Sequence, residues 1–122
     1  MTASLAGTYN ILCEQGATLE RHITWADSAK NPYNLNGFTA KMQVRTNDSA
    51  NDLIVELSTD NDYITLANTA VQYNVVINLP ASVTSVIGTG MYVYDLFITS
   101  PSTGKVDKIL EGNFKVKART TR

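Results

Sequence analysis

With 122 residues the chain has room for one domain, which would bury roughly two-thirds of its unfolded surface. A formal net charge of −1 offers no field to hold nucleic acid or an anionic membrane, and no run reaches the ~18–20 apolar residues of a membrane span. Cys13 is the only cysteine, which excludes an internal disulfide and a four-thiolate metal site. The N-terminus lacks the basic-then-apolar pattern of an export signal, so the chain is expected to be made and used without crossing a membrane by that route.

Residues 8–14 alternate Tyr9, Ile11 and Cys13 against Thr8, Asn10 and Leu12, a strand in which Cys13 reads as a small buried hydrophobe. Its neighbour Glu14 argues against a reactive thiolate. After the break Gln15-Gly16-Ala17, Leu19, Arg21, Ile23 and Trp25 share one face, with Glu20, His22 and Thr24 on the other. Arg21 is discordant there and is expected at a sheet margin, its stem packed and its head wet. Residues 26–32 are turn chemistry, Leu35-Asn36-Gly37 closes that excursion, and Phe38, Ala40, Met42 and Val44 then alternate with Thr39, Lys41, Gln43 and Arg45.

Beyond a polar loop at 46–52, Leu53, Val55 and Leu57 resume the period of two, and residues 58–62 form another turn before the short strand 63–66. Val71, Tyr73, Val75, Ile77 and Leu79 predict a nine-residue strand. Residues 82–87 read as one helical turn with Ser82 as its cap, closed by Gly88 and Gly90. From Gly90 to Ile98 both faces are largely apolar, which predicts a strand in the middle of a sandwich covered on both sides. A turn at 100–104 leads to a returning strand over 105–117, with a bulge expected at Gly112. Strands at intervals of about 8–12 residues predict an all-β sandwich of at least seven strands, a core around Trp25 and less than about a tenth helix. One domain is expected over 1–122, with 1–7 and 118–122 as flexible arms.

The search for chemistry finds no catalytic, cofactor-binding or metal site. His22, the single histidine, sits with Glu20 on a polar strand face and reads as solvated. Asp60, Asn61 and Asp62, with Asp48 or Asp52, contain the oxygens a hard cation would need, but the run lacks the spacing of a calcium loop and reads as turn propensity. Asp95 lies in an apolar strand, where a buried carboxylate would need structural partners. Gly88-Thr89-Gly90 precedes a strand, not a helix, and is no phosphate loop. Tyr63, Tyr73, Tyr92 and Tyr94 come without a basic groove, so they read as core and interface residues. Charge is uneven: Asp48, Asp52, Glu56, Asp60 and Asp62 are unopposed over 47–62, whereas six basic residues face two acidic ones over 105–122. Ordinary solvated segments would account for this, as would complementary patches that steer subunit contact.

Several segments carry a family resemblance: Gln15-Gly16-Ala17-Thr18, Thr24-Trp25, Asn34-Leu35-Asn36-Gly37-Phe38-Thr39-Ala40, Gly90 to Leu96, and Leu110-x-Gly112-x-Phe114-x-Val116. In this order, and over nearly the whole chain, they resemble a group of small virion proteins of tailed phages. They are similar also to the N-terminal immunoglobulin-like domain of phage baseplate upper proteins. Asn34 and Asn36 stand where that group usually has Asp and Thr, which leaves the turn chemistry intact. The resemblance implies an immunoglobulin-like antiparallel sandwich of about seven to nine strands in the virion. It implies an adaptor in the tail, baseplate or fibre-attachment region, a non-enzyme that contacts other virion proteins as a symmetric homo-oligomer. Capsid decoration is the alternative within that class. From other classes, a carbohydrate-binding module would use exposed aromatics such as Tyr33, and a small hydrolase would need an acid–base pair that the sequence does not display.

Overall fold

The computed structural model describes residues 7–27, 29–47, 52–67 and 73–120. Among them are nine strands: β1 (Gly7–Thr8), β2 (Ile11–Glu14), β3 (Leu19–Ile23), β4 (Thr39–Arg45), β5 (Leu53–Ser58), β6 (Ile64–Leu66), β7 (Val75–Leu79), β8 (Gly90–Thr99) and β9 (Val106–Lys117). The one helical element, α1, spans Ala81–Thr84. The strands form two sheets: β9, β8, β4 and β5 in that order with β1 and β2 on the outer side of β9, and β3-β7-β6. This is the strand order of an immunoglobulin variable-type sandwich, G-F-C-C′ against B-E-D, with the N-terminal strand added to G. That N-terminal strand pairs parallel to β9; every other pairing between named strands is antiparallel.

The core lies between the sheets. Met42 and Val44 from β4, Leu96 and Ile98 from β8, and Phe114 and Val116 from β9 face Ile64 from β6 and Val75, Ile77 and Leu79 from β7. Trp25 is buried in this cluster with Tyr33 edge-on to its ring at 4.8 Å. Cys13 is fully buried, as its setting predicts. Arg21 is half-buried on β3, an edge strand; its Nη2 donates to the Leu12 carbonyl at 3.0 Å and bridges the two sheets at their margin.

Tertiary contacts overrule the sequence pattern in six places. The strand expected over 8–14 is split, because Tyr9 and Asn10 turn toward Gly112. The strand expected over 71–79 begins at Val75, since Tyr73 adopts a left-handed backbone (φ 60°) that turns Asn74 inward; Val71 lies outside the described residues. Ser82 caps nothing: Pro80 occupies the cap position of α1 without a side-chain bond, and the helix ends by Ser85. Strand β8 buries Tyr94, Leu96 and Ile98 but leaves Met91 and Phe97 exposed, so it is central in its sheet yet covered on one face only. The bulge falls at Ile109, where the pairing steps from Leu96–Leu110 to Phe97–Lys108, and not at Gly112. Gly7 pairs within β1 and so is not part of a free arm; residues 1–6 and 121–122 lie outside the described residues.

Gly112 serves another purpose. A Cβ there would lie 2.5 Å from the Tyr9 carbonyl oxygen. The same carbonyl accepts a hydrogen bond from the hydroxyl of Tyr94, which pairs with Gly112 across the β8–β9 ladder. Substituting Gly112→Ala should therefore lower stability by about 1–3 kcal/mol, as over-packing does. Replacing the Tyr9 side chain should not rescue it, because the obstacle is backbone. Urea unfolding of the single and double variants checks both statements.

Asn74 is the second structural residue that periodicity conceals. Its side-chain Oδ1 accepts from the Trp25 N–H at 2.8 Å, and its Nδ2 donates to the Trp25 and Tyr33 carbonyls, each at 2.9 Å. Three hydrogen bonds at about 1 kcal/mol each, two of them buried and the third partly so, plus stranded backbone partners, put the cost of Asn74→Ala at about 3–5 kcal/mol. Calorimetry should show a loss on that scale, larger than for Asn78→Ala on the exposed side of β7.

Candidate docking face

Residues that alternate out of the core on β9, β8, β4 and β5 form the outer face of the larger sheet. The pairings arrange them in rows across the strands. Glu111, Asp95, Gln43 and Glu56 form one row. Lys108, Phe97 and Lys41 form the next, with the buried Ser58 at its β5 end, and Asn113, Val93, Arg45 and Leu53 flank the acidic row on its other side. Phe97, 36% exposed, stands as a ridge between two shallow hollows of about 510 and 530 Å³, both lined by Gln43, Asp95 and Phe97.

The face is ordered by its own polar contacts. Arg45 donates to Gln43 Oε1 at 2.7 Å, and Gln43 Nε2 donates in turn to Glu56 at 2.8 Å. The Ile109 bulge lets Lys108 and Glu111, three residues apart on a strand, point the same way, and their Nζ and Oε1 atoms meet at 2.6 Å. Glu111 raises the Lys108 pKa through that hydrogen bond and its charge, with burial opposing and Asp95 adding a smaller attraction. Lys108 is nevertheless solvent-exposed, so the pair aligns side chains more than it stabilises the fold. Asp95, expected as a buried carboxylate, stands half-buried on this outer face between Glu111 and Gln43.

The other sequence candidates are spent elsewhere. His22 Nε2 lies 3.4 Å from Glu20 Oε2 on the exposed side of β3, with Tyr73 edge-on to its ring. Asn61 accepts from the Ser58 and Tyr63 amides and donates to the Glu56 carbonyl, so it ties the 58–63 turn. Asp48 lies outside the described residues, and among those described no three His, Cys, Asp or Glu side chains converge to hold a metal ion. Tyr33, the candidate sugar platform, is half-buried against Trp25. Tyr94 is buried, and burial first, then Tyr9, pushes its hydroxyl pKa well above the usual range. Tyr92 donates from its hydroxyl to the Gly88 carbonyl at 2.7 Å, the tyrosine corner of the immunoglobulin fold, which gives Gly88-Thr89-Gly90 a structural use.

The sequence marks this outer face only in part. Alternation marks its residues, but the apolar odd positions of β8 read as core because nothing in one sequence says which face a second layer covers. No local pattern marks Thr84: fully buried, it accepts from the Gly16 N–H at 3.1 Å and donates to the Ala17 carbonyl at 2.8 Å.

No protein-family model and no curated protein matches the chain. Among solved structures it is similar to Tim-1, at 13% identity and a TM-score of 0.46, over 97% of this chain and 99% of that one. It is similar also to a structure from photo-crosslinking work on multimeric cell-adhesive interactions of VGSC beta subunits, at 14% identity and a TM-score of 0.45, over 98% of each chain. A third is the extracellular domain of the voltage-gated sodium channel beta4 subunit, described as a parallel homodimer, at 13% identity and a TM-score of 0.43, over 100% of this chain and 95% of that one. The fold assignment rests on the strand order itself.

Burial raises the Cys13 thiol pKa; Arg21 opposes this and Glu14 adds to it. The thiol should label slowly at about pH 9, where an exposed cysteine is largely thiolate. Because its folded pKa lies above its unfolded one, Cys13 adds stability below the unfolded pKa and loses it as pH rises further. Labelling at the rate of a free thiol in the native protein would contradict this placement.

Proposed function

We propose that this chain is an adaptor module of a tailed-phage particle, in the tail, baseplate or fibre-attachment region. It acts by protein–protein contact through the outer face of its larger sheet. Its enzyme-free character belongs to the same reading. The supporting observation is a division of labour. The motifs that carry the resemblance are spent on the scaffold: Gln15 and Gly16 bond to the α1 corner, Trp25 to Asn74, Tyr92 to Gly88, and Gly112 makes room for Tyr9. The outer face is left with Phe97, Val93 and Met91 among charged and amide side chains. That mixture suits a non-obligate protein interface. A module of modest affinity gains strength when symmetric copies engage together.

Immunogold labelling of purified particles carrying a tagged copy should place the chain on the tail or baseplate. Phe97→Ser should lower its incorporation at least about tenfold while melting stays close to wild type, as for a truncated interface anchor. Gold on the head shell would replace this reading with capsid decoration. Absence of the chain from particles by mass spectrometry would overturn it.

A further inference from the structure

We infer that the partner seated on this face is a second copy of the same chain, held about a two-fold axis that runs across the strands between the Asp95 and Phe97 rows. The inference rests on the reading of the outer sheet as a docking face. What it adds is the identity of the partner and the register of the contact.

The first argument is charge. Glu111, Asp95 and Glu56 make one row acidic, while Lys108 and Lys41 make the adjacent row basic on either side of Phe97. An in-plane axis along the strands would lay the acidic row on itself and is repulsive. An axis across the strands between the two rows lays each acidic row on the partner's basic row. Glu111 then faces Lys108 of the partner subunit, and Asp95 sits between Lys41 and Lys108 of the partner subunit, above its Phe97. Lys41 makes no ion pair within its own chain among the described residues, so its charge is available to the neighbour.

Shape gives the second argument. Phe97 is a ridge with a hollow on each side, and the hollow on the Asp95 side is about 510 Å³. The same axis drops the ridge of each copy into that hollow of the other. There the positive edge of the ring approaches the Asp95 carboxylate. Size is sufficient as well. The four strands of the face, about 4.8 Å apart, and a ten-residue β8 rising about 3.3 Å per residue span about 630 Å², within the range of about 600–1,000 Å² that a specific interface buries on each partner.

Charge reversal tests the register. Both side chains of the Lys108–Glu111 pair are solvent-exposed, so single reversals leave the core untouched. Sedimentation of the wild-type chain up to about 500 µM should show a reversible dimer that weakens with salt. Lys108→Glu and Glu111→Lys should each weaken self-association at least about tenfold, because each sets like charges against each other twice across the axis. Mixed in equal amounts, the two variants should form a heterodimer at least as tight as the wild-type dimer. Circular dichroism melts of each variant confirm that the fold is kept. A wild-type chain that stays monomeric overturns the inference, as does a mixture that fails to associate. The docking face is judged separately by the particle incorporation of Phe97→Ser. Normal loss of incorporation with no self-association would mean that a different virion protein occupies the face.

Discussion

The Asn74 amide is the constraint on which the rest of the sandwich depends. Between β3 and β4 the chain must leave one sheet and cross to the other, carrying backbone N–H and C=O groups past the core. Such groups cost free energy unless paired. A primary amide has both a donor and an acceptor end, and Asn74 uses both ends on this crossing segment. The Trp25 carbonyl also accepts from the Tyr33 N–H at 3.1 Å, which closes the excursion around the indole. Trp25 is thereby fixed with its ring in the core; among the described residues its own Nε1–H has no hydrogen-bond partner.

At the opposite end the two sheets are tied by another polar device. The turn Gln15-Gly16-Ala17 follows β2 and leads into β3. Gly16 has φ 78°, the left-handed region that a side chain resists. Gln15 Nε2 donates to the Ile87 carbonyl at 2.7 Å, and Thr84 holds both Gly16 and Ala17. Antibody domains pin the sheets with a disulfide between strands B and F and a tryptophan on strand C. In this chain the residue two after the corner tyrosine is Tyr94, the single cysteine lies on β2, and the tryptophan precedes β4. Side-chain to backbone hydrogen bonds stand in for that covalent pin. Tyr94 adds a bond of a different kind, within the larger sheet, reaching past Gly112 to the Tyr9 carbonyl beside β9.

These ties shape what the surface can do. Because β1 and β2 are anchored along β9, that side of the larger sheet is occupied and its outer face is broadened. The bulge at Ile109 then places Lys108 and Glu111 on that face together. A face whose side chains are already held by their own polar contacts on a braced sheet would lose little conformational entropy on docking, which is the condition for useful affinity from a modest area.

What the sequence determined by itself was the local grammar. Period-two alternation fixed nearly all the strands, Asp27, Asn34 and Asn61 fixed turns through their own side chains, and the flanks of Cys13 placed it in the core. Only the tertiary structure decided which face of β8 is covered, because both faces are apolar and the second layer is built from residues far away in the chain. It alone turned Asn74 inward, since a left-handed Tyr73 breaks the count by which periodicity assigns faces. It also gave Gly112 its use: the steric reason is the Tyr9 carbonyl, 103 residues earlier, which no local pattern can reveal. Alternation is a property of one strand, whereas burial is a property of two layers meeting.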